Sequence, residues 1–184
     1  MSPLETLGFT LGTSFASGLN VYATIAAAGL FQRMGLVQLP EPLHVLANPL
    51  VMGIAIALFL IEFVADKIPY VDSAWDAVHT FIRPPAAAVM AYSAFGSIPE
   101  EWKVSAALLA GGVALTSHGA KASTRAAANT SPEPVSNWVL SLAEDGLAVF
   151  LSWMAAAHPI LTAGIVVVLV ILAVLVIWKL YGYL

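Results

Sequence analysis

Glu144 and Asp145 sit inside VLSLAEDGLAVFL, a stretch with no other charge. If residues 135–157 form a helix that crosses a bilayer, these two carboxylates lie about 14 Å below its surface at 1.5 Å per residue. An ionised acid at that depth costs about 2.5–3.5 kcal/mol on insertion scales. Adjacent helical positions point about 100° apart, so the two acids face different neighbours and do not share a proton. Arg83 is the expected partner of one, and Arg125 or Lys121 of the other.

Two stripes of ionisable residues accompany them. Asp72, Asp76, His79 and Arg83 fall at i, i+4, i+7 and i+11, and His118, Lys121 and Arg125 at i, i+3 and i+7, each along one helix face. Asn20, Glu62, Asp66, Arg83, Arg125, Glu144 and Asp145 are expected to line a polar path through the molecule. Lys67, Asp72, Asp76, His79, His118 and Lys121 are expected to form a polar vestibule at its cytoplasmic mouth. The plainer reading is a set of interfacial ion pairs that fix helix register, with Lys and Arg chains snorkelling to the surface. Asp72, Asp76 and His79 with Glu62 or Asp66 are residue types that hold a hard divalent ion. They form no tight ligand motif, so neither a metal nor a cofactor is expected. No nucleophile elbow, phosphate-binding loop or dinucleotide fingerprint is present.

The composition narrows the class. Of 184 residues, 60% are apolar and 10% charged, against about 25% charged in a soluble domain. The lipid bilayer is therefore the expected solvent. The net charge of −4 argues against nucleic acid, whose phosphates demand clustered Lys and Arg. The chain has no cysteine, which excludes disulfides, thiolate metal sites and Cys nucleophiles. MSPLETLGF lacks a basic leader, so the first apolar stretch is expected to be retained.

A spanning helix needs about 20 apolar residues. PILTAGIVVVLVILAVLVIW at 159–178 meets this outright, with Trp178, Lys179, Tyr181 and Tyr183 as interfacial anchors. Residues 7–31, 46–65, 71–98, 103–127 and 135–157 complete about six segments. The reading is a single-domain, all-α polytopic membrane bundle over residues 1–184. Arg83-Pro84-Pro85 predicts a break at Pro84-Pro85 in the third segment, since neither proline donates an N–H and the residue before a proline avoids the α region. Gly8, Gly12 and Ala16 share a face that permits close helix approach; they or the sixth segment are the expected contact in a homo-oligomer. Five Lys and Arg on one side against two on the other predict both termini in the cytoplasm.

PYVDSAW from Pro69 and PEPVSNW from Pro132 share the pattern P-x-x-x-S-x-W at an offset of 63 residues. In that register Ala65 falls on Ala128, Asp66 on Asn129 and Glu62 on Arg125. Same-direction copies of a helical hairpin, 46–98 and 103–157, would give this pattern; so would chance, since Pro, Ser and Trp all favour helix starts and interfaces.

EFVADKIPYVDSAWDAVHTFIRPPAAA at 62–88, with GTSFASGLNVYAT at 12–24 and STRAAANTSPEPVSNWVLSLAEDGLAV at 123–149, resembles a bacterial family of integral membrane proteins known as domain of unknown function 4126. The resemblance implies an inner-membrane, single-domain protein and supplies no activity. It places the family signature on Asn20, Glu62, Asp66, Lys67, Asp72, Trp75, Asp76, His79, Arg83, Arg125, Asn129, Glu144 and Asp145. The function these readings point to is a small transporter or channel for an unknown small solute or ion, with one carboxylate alternating between a proton and an ion pair. The alternatives are a non-transporting scaffold or lipid-binding subunit and, third, a membrane-embedded enzyme on lipid headgroups.

Overall fold

The computed structural model describes residues 1–68, 70–130 and 135–181. Pro69, Pro132 and Tyr183 lie outside them. The described chain is an all-helical bundle, with no strand among the described residues. Its helices are α1 (Pro3–Arg33), α2 (Pro49–Ala65), α3 (Val71–His79), α4 (Arg83–Ala94), α5 (Glu100–Ala128), α6 (Val135–Ala157) and α7 (Pro159–Tyr181), with a 3₁₀ segment, Glu41–Ala47, ahead of α2.

Polarity is distributed inside out. Exposed side chains include Leu50, Ile54, Leu60, Ile61 and Val64 of α2, and Val167, Val168, Ile171, Leu172 and Leu175 of α7. The interior holds Asn20, Glu62, Asp66, Asp72, Asp76, Arg83, Lys121 and Arg125. An apolar belt of this extent does not persist in water. α1, α6 and α7 are long and apolar enough to cross a membrane, and the 3₁₀ segment with α2, bent by 64°, is a fourth candidate. α7 is the most apolar of these, and little of it is covered by the rest of the bundle.

α1 is not the straight span expected from residues 7–31. Helical geometry fails at Asn20, whose backbone is extended (φ −154°, ψ 103°). Gly29 lies against the Leu46 carbonyl, while Pro40, Glu41 and Pro42, a few residues before Leu46, line a cavity of about 240 Å³ together with Met1, Pro3 and Thr6. A straight helix would hold Gly29 about 35 Å from Thr6. The chain therefore turns back at Asn20, so that residues 3–19 enter the bundle and 21–33 return. The first half runs parallel to α5 (Phe15 beside Ser117, Leu19 beside Lys121) and antiparallel to α6 (Gly12 beside Ala155, Asn20 beside Asp145).

The small-residue face of α1 serves this packing rather than a second copy. A Cβ on Gly8 would overlap the Pro159 carbonyl, and one on Gly12 would come within 2.6 Å of Ala155 Cβ and Thr162 Cγ2. Ala16 is fully buried. These positions are closed to an oligomer partner, because the α6–α7 corner already occupies them.

The third segment is broken, with the interruption at Thr80–Ile82, just ahead of the prolines. Pro84 and Pro85 sit in the first turn of α4, where a missing N–H is harmless because that donor has no intrahelical partner. Asp66 and Asn129, 63 residues apart, end α2 and α5 in the αR conformation, each N–H bonding the carbonyl four residues back, as also happens at the ends of α1 and α3. α3 and α6 begin at Val71 and Val135, 64 residues apart, and 71–94 is interrupted where 135–157 is continuous.

Gly8→Ala should lower stability by about 1–3 kcal/mol, the usual range for overpacking. Gly146→Ala, whose Cβ meets open space, should leave stability unchanged or raise it. Thermal unfolding of the two purified variants in one detergent checks this.

Candidate functional site

The turn in α1 exposes helix ends inside the bundle. In a continuous helix the Leu19 carbonyl would accept from the Ala23 N–H. Here that N–H donates to Asn20 Oδ1 at 2.9 Å, so Asn20 caps the returning half from within the chain. The freed carbonyls find cations: Arg83 Nη1 donates to Gly18 O at 3.0 Å and Lys121 Nζ to Leu19 O at 3.1 Å. The negative end of the entering half-helix thus faces positive charge, which the helix dipole favours. Gly18 permits this approach, since a Cβ there would overlap Ser117 Oγ and the Ala114 carbonyl.

Around this tip lies a connected set of ion pairs. Arg83 Nη2 reaches Glu62 Oε1 at 2.5 Å and Asp76 Oδ1 at 3.5 Å. Lys121 Nζ stands 2.9 Å from Asp66 Oδ2, 3.4 Å from Glu62 Oε1, 3.7 Å from Glu144 Oε2 and 3.9 Å from Asp76 Oδ1. Arg125 Nη2 holds Glu144 Oε2 at 2.5 Å and Asp66 Oδ2 at 3.1 Å, and its Nη1 donates to the Asp66 carbonyl at 2.5 Å. The Arg83, Lys121, Glu62 and Asp66 side chains are fully shielded from solvent, and that of Glu144 is 12% exposed. α2, α3, α4, α5 and α6 each contribute a charge, and α1 contributes the carbonyls.

Flanking groups extend the set. Asn20 Nδ2 donates to Asp145 Oδ1 at 2.8 Å. Asn129 Nδ2 donates to both Asp72 oxygens at 3.0 Å, and its Oδ1 accepts from Asn137 at 2.6 Å. A guanidinium can only donate, so His118 Nδ1, 2.7 Å from Arg83 Nη1, is an acceptor. The ring proton then sits on Nε2, facing Thr80 Oγ1 and the Asp76 carbonyl. His79 donates from Nδ1 to the Trp75 carbonyl, stacks on that indole, and turns Nε2 to the Tyr22 hydroxyl at 3.1 Å.

The structure gathers most of the residues singled out by sequence and changes their pairing. Glu144 and Asp145 do face different neighbours, Arg125 and Asn20. Arg83 pairs with neither of them. It is the first residue of α4 and points at Glu62, because the break at Thr80–Ile82 starts α4 beside the end of α2. The acidic and basic stripes do meet, but in a closed cluster rather than a vestibule: Asp72, Asp76, His79, His118 and Lys121 are all buried. Lys67 stands apart, donating to the Phe63 carbonyl and to Ser141 with its ammonium over the Phe63 ring. Glu62 pairs with Arg83 and Arg125 with Glu144; Glu62 and Arg125 are 63 residues apart, but Arg83 and Glu144 are 61 apart and do not share that register. No three His, Asp or Glu side chains among the described residues converge as a metal site.

Sequence reasoning missed Gly18, Tyr22, Thr80 and Ser117, and the backbone carbonyls of Gly18 and Leu19. The signal for the carbonyls lay in Gly18-Leu19-Asn20. It places a residue that ends helices two positions before one that starts them, inside an apolar run.

Removing one member of a buried ion pair costs about 3–5 kcal/mol, since the other charge is stranded. Arg83→Met and Glu62→Gln should each destabilise on that scale, and the double variant should lose clearly less than the sum. Arg83→Met with Glu144→Gln should be closer to additive. A double-mutant cycle by thermal unfolding in detergent separates the two pairings.

The chain belongs to the family described as Domain of unknown function (DUF4126), which it matches over residues 7–179. No curated protein and no solved structure matches it.

Proposed function

We propose that this member of the DUF4126 family is a small membrane carrier, moving a small charged solute or an ion across the bilayer by rearranging its buried ion pairs. The observation that supports this most is the charge cluster at the tip of a helix that turns back inside the bundle. Interrupted helices place unpaired backbone ends at depth, and such ends are tolerated in membranes where protein or a cavity satisfies them. The break between α3 and α4 falls at the same cluster, so two interrupted segments share one site.

The arrangement suits exchange. Lys121 has carboxylate oxygens of Glu62, Asp66, Asp76 and Glu144 within 4 Å, so small shifts trade one partner for another at little cost. The charges are buried rather than strung along an open passage, which favours alternating access over a standing pore. A static scaffold gains little from such a cluster, because apolar residues of similar volume are often as stabilising as buried ion pairs.

The turn in α1 supports a topology different from the one expected by counting six spans. With α1 entering and leaving on one side, five crossings remain, through α2, α3–α4, α5, α6 and α7. The termini then lie on opposite faces. With Arg83, Lys121 and Arg125 drawn into the interior, Arg33 and Lys103 stand on one face and Lys67 and Lys179 on the other. Charge bias therefore no longer favours an orientation.

Two measurements test this reading. In proteoliposomes driven by ion or pH gradients, Lys121→Met and Glu62→Gln should lower flux by more than tenfold, while Lys103→Gln, far from the cluster, should not. Equal flux from folded Lys121→Met and the natural protein would favour the scaffold. In the cysteine-free chain, single cysteines at Ser2 and Lys179 should be labelled by a membrane-impermeant maleimide from opposite sides of sealed vesicles. Labelling from the same side would remove the five-crossing topology.

A further inference from the structure

The ion-pair set does not balance. Among the described residues Glu62, Asp66, Asp72, Asp76 and Glu144 lie within 4.0 Å of a cation in this set, and only Arg83, Lys121 and Arg125 supply its positive charge. His118 adds none, since its Nδ1 accepts from Arg83. Surplus negative charge in a low-dielectric interior is costly, so the cluster has a place for further positive charge.

The hydrogen bonds indicate where. Glu62, Asp66, Asp72, Glu144 and Asp145 each accept at least one direct hydrogen bond from a side chain. Asp76 is 3% exposed, and neither of its carboxylate oxygens accepts any among the described residues. Arg83 and Lys121 face it at 3.5 and 3.9 Å, close enough for attraction and too far for a hydrogen bond. Asp66 on α2 and Arg125 on α5 add their fields to it, one repelling and one attracting. On its own helix Asp72 is held by Asn129, and His79 by Trp75 and Tyr22.

We propose that Asp76 is the exchanging carboxylate of the cluster, taking up and releasing one monovalent positive charge, a proton or an alkali cation, beside Arg83 and Lys121. This rests on the carrier reading and specifies its coupling site. Uptake of a proton from water forms one O–H bond on the carboxylate, and release to water breaks it. A divalent ion would sit against two fixed cations and is disfavoured. A charge gained at Asp76 weakens its pull on Arg83 and Lys121 and shifts both toward Glu62 and Asp66, which links occupancy to the tip of α1.

Infrared difference titration of the purified protein tests the site without requiring transport. The natural protein should show a protonated-carboxyl band that grows as pH falls. The band should vanish in Asp76→Asn and move in frequency in Asp76→Glu, the second variant serving if the first does not fold. Sodium or potassium at fixed pH should reduce the band if an alkali ion competes for the site and leave it unchanged if the ligand is the proton alone. Persistence of the band in Asp76→Asn, its loss in Glu144→Gln in place of Asp76→Asn, or no protonated band and no response to either cation at any pH would overturn the proposal. A band assigned to Asp76 in a protein without flux would remove the carrier reading and leave the site standing.

Discussion

A charged side chain inside an apolar bundle has only the protein to pair with. Water is excluded and the surrounding hydrocarbon offers no donor or acceptor, so each buried ion must meet its counter-ion or a backbone dipole with good geometry. The rest of the structure follows from this constraint. Arg83, Lys121 and Arg125 come from two helices, and the acids that face them come from α2, α3 and α6. Small shifts trade partners within the set, but a large displacement of any of these helices strands a charge on another, so the ion pairs help hold the bundle in register.

The backbone answers the same constraint. Turning α1 back at Asn20 frees the Gly18 and Leu19 carbonyls, which would be costly if left alone. They become the third set of acceptors for Arg83 and Lys121, and Asn20 caps the returning half while binding Asp145. One residue thus resolves both the orphan N–H on one side of the break and a buried acid on the other. The start of α4 is the counterpart. A cation at a helix N-terminus opposes the dipole, and Arg83 is held there by Glu62 and by the opposing end of α1.

Much of the site was legible in the chain, because ionisable residues are conspicuous in an apolar sequence. Asn20, Glu62, Asp66, Asp76, Arg83, Lys121, Arg125, Glu144 and Asp145 stand out by the cost of burying them or by their helical spacing, and they do converge. The pairing was not legible. Depth along each helix suggests Arg83 for one of Glu144 and Asp145, but depth is one coordinate, and partners are chosen also by the rotation and neighbour order of helices. Thr80, Ser117 and Tyr22 were invisible because hydroxyls are common in such segments and carry no cost that marks them.

The sequence by itself determined that the chain is helical and apolar outside, that its third segment is interrupted near Pro84-Pro85, and that its interior includes acids, bases and asparagines but no thiols. Those are properties of residue type and local spacing, and they act within a few residues of where they are written. Only the tertiary structure decided that α1 turns back, that Gly8 and Gly12 pack against the α6–α7 corner, and that the Asp76 carboxylate accepts no hydrogen bond among the described residues. Each of these depends on which helix lies beside which, and that choice is made by the whole set of buried charges and close contacts at once.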